Sequence, residues 1–139
     1  MSTLNPYFIF AGNSEEAFNF YKSVFGGEFS AVMRFKDVPG ENKPSATWEN
    51  KLVHIALPIG DTMLMGGDCP EDWAGNYIAG SAIHISYNAK SEAEVDEKFK
   101  ALSEGGVVHM PVSKTFWGDY FGMVQDKFGF QWMLSYSYK

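Results

Sequence analysis

The chain has 139 residues, the length of one domain, and it is 45% hydrophobic and 20% charged, as globular proteins are. Its net charge of -6 argues against a nucleic-acid partner or an acidic membrane surface, because phosphate groups are bound by clustered Lys and Arg. The single cysteine, Cys69, excludes an internal disulfide, and no apolar run approaches the roughly 20 residues that cross a bilayer. Residues 1–5 lack a basic start followed by an apolar core, so we expect a cytoplasmic protein.

The first half of the chain predicts one helix among four strands. Asn13 and Glu16 have the spacing of a capping box, and the glycine pair at 26–27 suits the left-handed end of the same helix. Gly60 is a turn residue between two apolar stretches, which predicts a hairpin. In chain order the predicted elements are a strand over 6–11, a helix from 13 to 26, and strands over 28–36, 52–59 and 62–65. We expect segment 37–48, with its prolines and charges, to be an exposed loop.

The second half repeats this order of elements. Ser91 and Glu94 again fit a capping box, a glycine pair at 105–106 follows the helix, and Gly129 precedes a strand of bulky residues. The predicted elements are a strand over 82–87, a helix from 91 to 105, and strands over 107–112, 121–125 and 130–134. An internal duplication explains the repeat. We therefore predict a single domain with module one at 1–68, a linker at 69–80 and module two at 81–139.

Three motifs carry a resemblance to a known family: Asn13–Tyr21 (NSEEAFNFY), Phe116–Asp119 (FWGD) and Asp126–Trp132 (DKFGFQW). With the repeated strand-helix-three-strand pattern, they resemble the vicinal oxygen chelate superfamily of glyoxalases, bleomycin resistance proteins and dioxygenases, and within it the PhnB-like branch. The resemblance implies an α+β fold in which two paired βαβββ modules form a curved mixed sheet around a central cleft. It also implies a homodimer.

Enzymes of this superfamily hold a divalent metal with His and Glu from the first and fourth strands of each module. The resemblance places those positions at Pro6, Leu64, Ala82 and Met133. Proline, leucine and alanine side chains have no donor atom, and the thioether of methionine suits soft metals only. We therefore predict no metal and no other cofactor at the family's position.

The same positions predict which side chains line the cup of the curved sheet. Side chains alternate across a strand, so residues in phase with the four lost ligands should point into the cup. These residues are Phe8, Phe10, Thr62, Leu64, His84, Gln131 and Met133. The out-of-phase residues, Met63, Met65, Ile83 and Trp132, are predicted to pack against the helices. An apolar pocket with a few polar points is a common design for a small-molecule site.

His54 and His84 are the cup residues best suited to chemistry. The face of the His54 strand that carries Ile55 and Leu57 is apolar, so both histidines are predicted to reach one cup. Their functional interpretations are hydrogen bonding to an anionic or carbonyl ligand, acid or base catalysis, or a relocated metal site with Gln131. The alternative is that each histidine only satisfies a backbone carbonyl.

The remaining candidates lie in loops. Trp117 precedes the closing hairpin, where it is predicted either to cover the cup or to belong to a dimer interface. Asp119 and Asp126 are interpreted as turn residues. Cys69 has no adjacent base in its Gly-Asp-Cys-Pro turn, so we do not expect a nucleophile.

Three functions are consistent with these patterns. The first is a metal-independent binding protein for a small, partly aromatic molecule. The second is a metal-dependent lyase, dioxygenase or transferase that uses His54 and His84 on a relocated metal. The third is a structural dimerisation unit, which requires Phe8, Phe10 and Met133 to fill the cup themselves. The expected partners are a second copy of the chain and a small organic ligand, with no nucleic acid and no membrane.

Overall fold

A strand, a helix and three further strands make up the first half of the chain. In the computed structural model, which describes residues 2–38, 46–70 and 80–138, these elements are β1 (Tyr7–Phe10), α1 (Ser14–Phe25), β2 (Ala31–Arg34), β3 (Leu52–Ile59) and β4 (Thr62–Asp68). Two short 3-10 helices lie between β2 and β3, at Phe35–Asp37 and Ala46–Trp48. The strands form a mixed sheet in the order β1-β4-β3-β2, with β1 parallel to β4 and the other pairs antiparallel.

The second half repeats this architecture. Its elements are β5 (His84–Asn88), α2 (Glu92–Ser103), β6 (Val107–Lys114), β7 (Asp119–Gln125) and β8 (Gln131–Ser137). They form a second mixed sheet in the order β5-β8-β7-β6, with β5 parallel to β8. The predicted α+β fold of two βαβββ modules is confirmed.

The chain divides into two compact units, residues 1–77 and 78–139, and the described residues of each unit form one four-stranded sheet and one α-helix. Most of the predicted linker at 69–80, and the middle of the predicted loop at 37–48, fall on residues 71–79 and 39–45, outside the described ranges. Within those ranges, no helix combines the length and the apolar character that crossing a membrane requires.

The strand ends differ from their predicted bounds by up to a few residues, and the differences at β2 and β4 have a clear physical cause. β2 ends at Arg34 because the chain turns into a 3-10 helix at Phe35, whose side chain is buried. β4 continues beyond its predicted end at 65 through two glycines to Asp68, and it pairs with β1 along this extension. A glycine in the sequence usually predicts the end of a strand. In β4, however, the two glycines allow neighbouring side chains and backbone to pack closely against the strand.

Helix α1 packs its aromatic side chains directly on β1. Phe8 and Tyr21 meet edge to face with ring centroids 5.9 Å apart, and Phe10 meets Phe18 in the same way at 6.1 Å. All four side chains are buried. Edge-to-face aromatic pairs stabilise a core beyond the apolar area that they bury, by about 0.5–1.5 kcal/mol each.

A sheet glycine lies under a helix aromatic in both units. A Cβ atom on Gly66 would lie 2.6 Å from the ring of Phe18, and one on Gly122 would lie 2.8 Å from the ring of Phe99. Neither glycine has the positive φ of a turn, so the close approach of the helix is the reason for glycine at both positions. These contacts also fix which face of each sheet is covered by its helix.

The two helices are capped differently. Ser91 accepts a hydrogen bond from the backbone N–H of Glu94 at 3.1 Å, as predicted, while the Glu94 side chain accepts from the N–H of Lys90 rather than of Ser91. The capping box predicted at Asn13 is wrong, because the Asn13 side chain makes no capping hydrogen bond. Asp68, the last residue of β4, accepts from the N–H groups of Gly12 and Ser14 instead, at 3.0 and 2.9 Å.

Candidate functional site

Each sheet has one face that packs on its own helix and a second face, which we call the distal face. Phe8 and Phe10 were predicted to line the cup, but they pack on α1, so that prediction is wrong. Leu64 is two residues before Gly66 on β4 and therefore lies on the same helix-facing side, where it is buried. Thr62 has the same phase at the exposed start of β4.

The distal face of the first sheet carries Met63 and Met65, which were predicted to pack on the helix, and Tyr7 and Ile9, which were not assigned to the cup. It also carries His54, on the face opposite Ile55 as predicted, and the register pairs Tyr7 with Met65 and His54 with Met33. The prediction that Met63 and Met65 face the helix is therefore wrong. Both faces of β1 and β4 are apolar in sequence, so alternation alone did not identify the buried one.

Tyr7 and His54 form the polar part of this first distal face. Their rings stack with centroids 5.8 Å apart, and the Tyr7 hydroxyl donates a hydrogen bond to the carbonyl oxygen of Val53 at 3.3 Å. Burial raises the pKa of the Tyr7 hydroxyl, and Cys69 and Asp68 raise it further. Tyr7 is thus a neutral hydrogen-bonding group at ordinary pH.

In the second unit, alternation identifies the correct faces for most residues. Gly122 faces α2 and pairs with Leu134, so Leu134 also faces α2. Because side chains alternate along β8, Gln131 and Met133 lie on the distal face. His84 of β5 pairs with Gln131 and lies on the same face. Trp132 is buried on the helix side, as predicted. Ile83 was predicted to pack against the helix but is 81% exposed, because it precedes the start of β5. Whether His84, Gln131 and Met133 contact a ligand stays a prediction.

Three polar side chains meet on this second distal face. The Gln131 amide nitrogen donates to Gln125 Oε1 at 3.0 Å and to the carbonyl of Gly80 at 3.5 Å, and His84 Nε2 lies 3.1 Å from the carbonyl of Ser81. Among the residues that the structure describes, two buried acceptor atoms of this cluster, His84 Nδ1 and Gln131 Oε1, have no hydrogen-bond partner. We call these two atoms the acceptor pair. Buried polar atoms are normally satisfied, so an unsatisfied pair is a candidate recognition feature.

Methionines adjoin the acceptor pair. Met133 follows Gln131 by two residues on the same face of β8 and pairs across the sheet with Met123. Both methionines are half-buried, and Met110 of the edge strand β6 pairs with Met123 in turn. Methionine side chains are flexible and make favourable contacts with aromatic rings, so this surface suits an apolar ligand body. The sequence reasoning missed Gln125 and Met123, which the register of the β7–β8 hairpin places beside Gln131 and Met133.

Trp117 is held at the turn between β6 and β7. Its indole N–H donates to Asp119 Oδ2 at 2.9 Å, and its ring meets those of Phe116 and Phe121 at centroid distances of 4.9 and 5.9 Å. Phe121 pairs with Ser135, so it lies on the distal face. Trp117 therefore stands at the margin of that face, and its two predicted roles, pocket cover or interface residue, both stay predictions.

Asp126 was interpreted as a turn residue, but its carboxylate has a larger role in the structure. It is 1% exposed, Oδ1 accepts from the N–H groups of Phe128 and Phe130 at 2.8 and 3.1 Å, and Oδ2 accepts from the indole N–H of Trp132 at 2.8 Å. These bonds fix the turn that leads directly into Gln131. A buried carboxylate that organises a turn cannot be distinguished in sequence from an exposed turn aspartate.

A cleft of about 640 Å³ lies beside the N-terminal end of α1 in the first unit. It is lined by Gly12, Asn13, Glu15, Glu16, Asn19, Asn50, Lys51 and Asp68. Arg34 donates two hydrogen bonds to Glu15, at 3.0 and 2.7 Å, and these bonds lower the pKa of Glu15. Asp68 is already used by backbone N–H groups. The cleft is polar and differs in place and character from the apolar pocket predicted from sequence.

The side chains available do not fit the divalent metal that the resemblance implies. In the ranges that the structure describes, no three His, Cys, Asp or Glu side chains come together in a way that could hold a metal ion. His54 belongs to the first unit and His84 to the second, and the groups beside His84 on its own sheet are glutamines and methionines rather than carboxylates.

Comparison with known proteins agrees with this architecture. A family model described as the Glyoxalase/Bleomycin resistance protein/Dioxygenase superfamily matches residues 3–134. The chain belongs to this superfamily. The glyoxalase/bleomycin resistance superfamily is thus confirmed as the family whose motifs the sequence resembles, and its fold accounts for the two mixed sheets.

Individual relatives extend the match over nearly the whole chain. Protein YjdN of Escherichia coli strain K12 is 29% identical over 140 residues, which cover 95% of this chain and 93% of that protein. Among solved structures, protein PA1353 from Pseudomonas aeruginosa has a TM-score of 0.87 at 38% identity, with 99% of this chain and 98% of that chain covered. A PhnB protein from Bacillus cereus has a TM-score of 0.79 at 26% identity, with 98% and 100% covered. The PhnB-like branch is therefore represented among the structural neighbours.

Proposed function

We propose that this superfamily member binds a small organic molecule without a metal, and that the distal face of the second sheet supplies the contacts. The observation that carries the proposal is Gln131. Its side chain is 4% exposed, yet its carbonyl oxygen has no hydrogen-bond donor, and half-buried methionines adjoin it. A few fixed polar groups on an otherwise apolar surface are typical of small-molecule sites.

Leaving a buried acceptor without a donor costs about 1–3 kcal/mol of folding free energy, and a ligand that supplies the donor recovers this cost on binding. A ligand that covers Met123 and Met133 also removes apolar surface from water. Both contributions favour a ligand with an apolar body and a polar group.

The proposal is tested by NMR of the seven methionine methyl groups, assigned through single Met→Leu variants. We expect titration with a panel of aromatic fragments to shift the Met123 and Met133 signals in a saturable way. Met133→Lys should abolish the shifts of Met123, because it places a charge on the apolar face. The matched control is Leu4→Lys, since Leu4 is 96% exposed. A panel in which no fragment moves either signal would contradict the proposal.

The other two functions have less support from the side-chain placement. The structural dimerisation unit required Phe8 and Phe10 to fill the cup, and both pack on α1 instead. The metal-dependent lyase, dioxygenase or transferase required a ligand set around His54 and His84, and no three potential metal ligands come together in the described residues. The carboxylate on β4, which pairs with the strand of His54, is that of Asp68, and three backbone N–H groups already donate to it. The binding protein needs neither condition.

We also propose that the protein is a cytoplasmic homodimer, with a second copy of itself as its macromolecular partner. The support is the family resemblance for the dimer, and the single cysteine for a reducing compartment. Light scattering coupled to size exclusion tests the dimer, with twice the chain mass of 15.6 kDa as the expected result and a single chain mass as the contradicting one.

A further inference from the structure

We propose that the distal face of the second sheet recognises an NH₂ group, as in a primary amine, amide or amidine, carried on an aromatic body. This inference rests on the proposed function and specifies the chemistry of the ligand. It depends on the orientation of two side chains, on the donors that they have already used, and on the surface beside them.

The orientation of the Gln131 amide is fixed by its neighbours. A backbone carbonyl only accepts hydrogen bonds, so the atom that faces the Gly80 carbonyl at 3.5 Å must be the amide nitrogen. The same nitrogen donates to Gln125 Oε1 at 3.0 Å, which uses its second N–H. The carbonyl oxygen of Gln131 is therefore the atom left without a partner, and it can only accept.

The tautomer of His84 follows from the same argument. Nε2 lies 3.1 Å from the carbonyl oxygen of Ser81, so Nε2 carries the hydrogen and donates it. In the neutral ring the other nitrogen, Nδ1, then has a free lone pair, and this atom is buried without a partner. His84 thus also presents an acceptor.

The acceptor pair favours a ligand that donates hydrogen bonds. The N–H groups of His84 Nε2 and of the Gln131 amide are all engaged by protein acceptors, so these two side chains offer no donor to an anion or a carbonyl. The net charge of -6 also disfavours anions. With a neutral His84 ring, the acceptor pair therefore favours a hydrogen-bond donor over the anionic or carbonyl ligand that the sequence suggested for His84.

The proposal requires one group of the ligand to reach both acceptors. His84 and Gln131 are register partners on the parallel strands β5 and β8, and neighbouring strands lie about 4.8 Å apart. An NH₂ group carries two hydrogens that diverge from one nitrogen, so it can donate to one atom on each strand. A hydroxyl has a single hydrogen and would leave one acceptor unsatisfied.

We expect the apolar body of the ligand to lie over Met123 and Met133. These two residues form the next cross-strand pair on the same face as Gln125 and Gln131. Their thioethers favour contact with an aromatic ring. An aromatic ring with a directly attached NH₂ group is the simplest molecule that meets both requirements.

Aniline and toluene form a matched pair of probes. They have the same ring and nearly the same size, both are neutral at pH 7.5, and they differ in NH₂ against CH₃. We expect aniline to bind about tenfold more tightly than toluene, the effect of two ordinary hydrogen bonds, with the Met123 and Met133 methyl signals as the readout. Benzoate, which only accepts hydrogen bonds, should bind more weakly than toluene.

Variants of His84 separate its two ring nitrogens. His84→Gln keeps an N–H that can donate to Ser81 but removes the Nδ1 acceptor, and it should lower the aniline affinity about threefold without changing the toluene affinity. His84→Asn can place a carbonyl oxygen near the Nδ1 position, and it should retain the aniline preference.

Gln131→Met keeps the shape of the side chain and removes the acceptor, and it should lower the aniline affinity as much as His84→Gln does. Ser135→Ala is the control on the same face of β8, where Ser135 donates to Asn88, and it should change neither affinity.

The outcomes separate the ligand class from the binding function. Equal affinities for aniline and toluene, or tighter binding of benzoate, would overturn the NH₂ inference while the binding function stands. A tenfold preference for aniline that is undiminished in both His84→Gln and Gln131→Met would also overturn it. No shift of Met123 and Met133 with any of the three probes would overturn the inference and the proposed function together. Melting temperatures of the variants show whether each is folded, and His84→Asn provides the folded comparison if His84→Gln is not.

Discussion

Two buried aspartates organise the backbone where a helix begins and where a hairpin turns. Asp68 closes the N-terminal end of α1 from the far end of β4 and accepts a third hydrogen bond from the N–H of Leu52 at 3.0 Å. Asp126 holds the turn before β8 and the indole of Trp132. Each carboxylate is satisfied by donors that lie in different segments, so each joins local structure to tertiary packing.

We predict that Asp68→Asn lowers the free energy of unfolding by about 1–3 kcal/mol. The amide that replaces one carboxylate oxygen would meet a backbone N–H, and two donors then face each other in a buried place. The matched control is Asn13→Ala, since the Asn13 side chain makes no capping bond and its loss should cost little. Urea denaturation of both variants measures the difference. Equal losses, or a larger loss for Asn13→Ala, would mean that the local residue caps α1.

At the second aspartate, Asp126→Asn and Trp132→Phe should be coupled. Each single change leaves one partner of the 2.8 Å bond between the indole N–H and Oδ2 without the other, and each should cost about 1–3 kcal/mol. The double variant should cost less than the sum, with a coupling free energy of about 1 kcal/mol or more. Lys127→Asn is the control for the turn, because Lys127 is exposed beside Asp126. Additive losses in a urea double-mutant cycle would show that the bond contributes nothing.

At the scale of elements, both helices approach their sheets over a glycine, and the two contacts differ in what surrounds them. A Cβ on Gly66 would meet the Phe8 carbonyl oxygen at 2.8 Å as well as the Phe18 ring. One on Gly122 would meet only side-chain atoms within 3.2 Å, those of Phe99 and Val112. Backbone atoms move less readily than side-chain ends, so the first site tolerates a methyl group less well.

We predict that Gly66→Ala lowers the free energy of unfolding by about 1–3 kcal/mol through overpacking, and that Gly122→Ala lowers it less. Adding Val112→Ala to Gly122→Ala should restore part of the loss, whereas Phe18→Leu should restore little in Gly66→Ala because the Phe8 carbonyl remains. Thermal and urea unfolding give the values. A Gly66→Ala protein as stable as wild type would contradict the packing of α1 on β4 described here.

A hydrogen bond between α2 and β7 gives a pH signature. The Tyr120 hydroxyl donates to Asp96 Oδ1 at 2.7 Å, and this bond raises the pKa of Tyr120 to about 12. The folded pKa lies above the unfolded value of about 10, so the contribution to stability is complete below pH 10 and is lost as the pH rises towards 12.

The absorbance of tyrosinate at 295 nm measures this pKa as the difference between wild type and Tyr120→Phe. We expect a titration near pH 12, and Asp96→Asn should move it towards 10 by removing the charged acceptor. A wild-type difference curve already centred near 10 would show that the hydrogen bond is absent in solution.

For the whole molecule, the duplication was the feature most readable from the sequence. Helix ends marked by glycine pairs and strands separated by turn glycines predicted the eight strands and two α-helices of the described residues, because these signals are local. The faces of the strands were predictable in the second unit and on β3, but not on β1 and β4. In the second unit β8 alternates between Gln131, Met133 and the buried Trp132 and Leu134, whereas Phe8, Ile9 and Phe10 of β1 are apolar on both faces.

The unpredicted parts of the candidate site depend on long-range pairing. Gln125 reaches Gln131 through the register of a hairpin, and Asp68 reaches α1 from 54 positions along the chain. Neither contact can be predicted from the residues that are near it in sequence. The acceptor pair was also unpredictable. The carbonyl oxygens of Gly80, Ser81 and Gln125 engage the N–H groups of His84 and Gln131, and only the three-dimensional structure shows these contacts.

The measurement that tests the central claim most directly is aniline binding to protein stripped of metal with EDTA, with the metal content determined by mass spectrometry. We predict that the Met123 and Met133 methyl shifts and the affinity are unchanged in metal-free protein, because His84 Nδ1 and Gln131 Oε1 supply the polar contacts. Loss of binding on EDTA treatment, restored by adding one equivalent of Zn²⁺ or Mn²⁺, would contradict it and support the metal-dependent alternative.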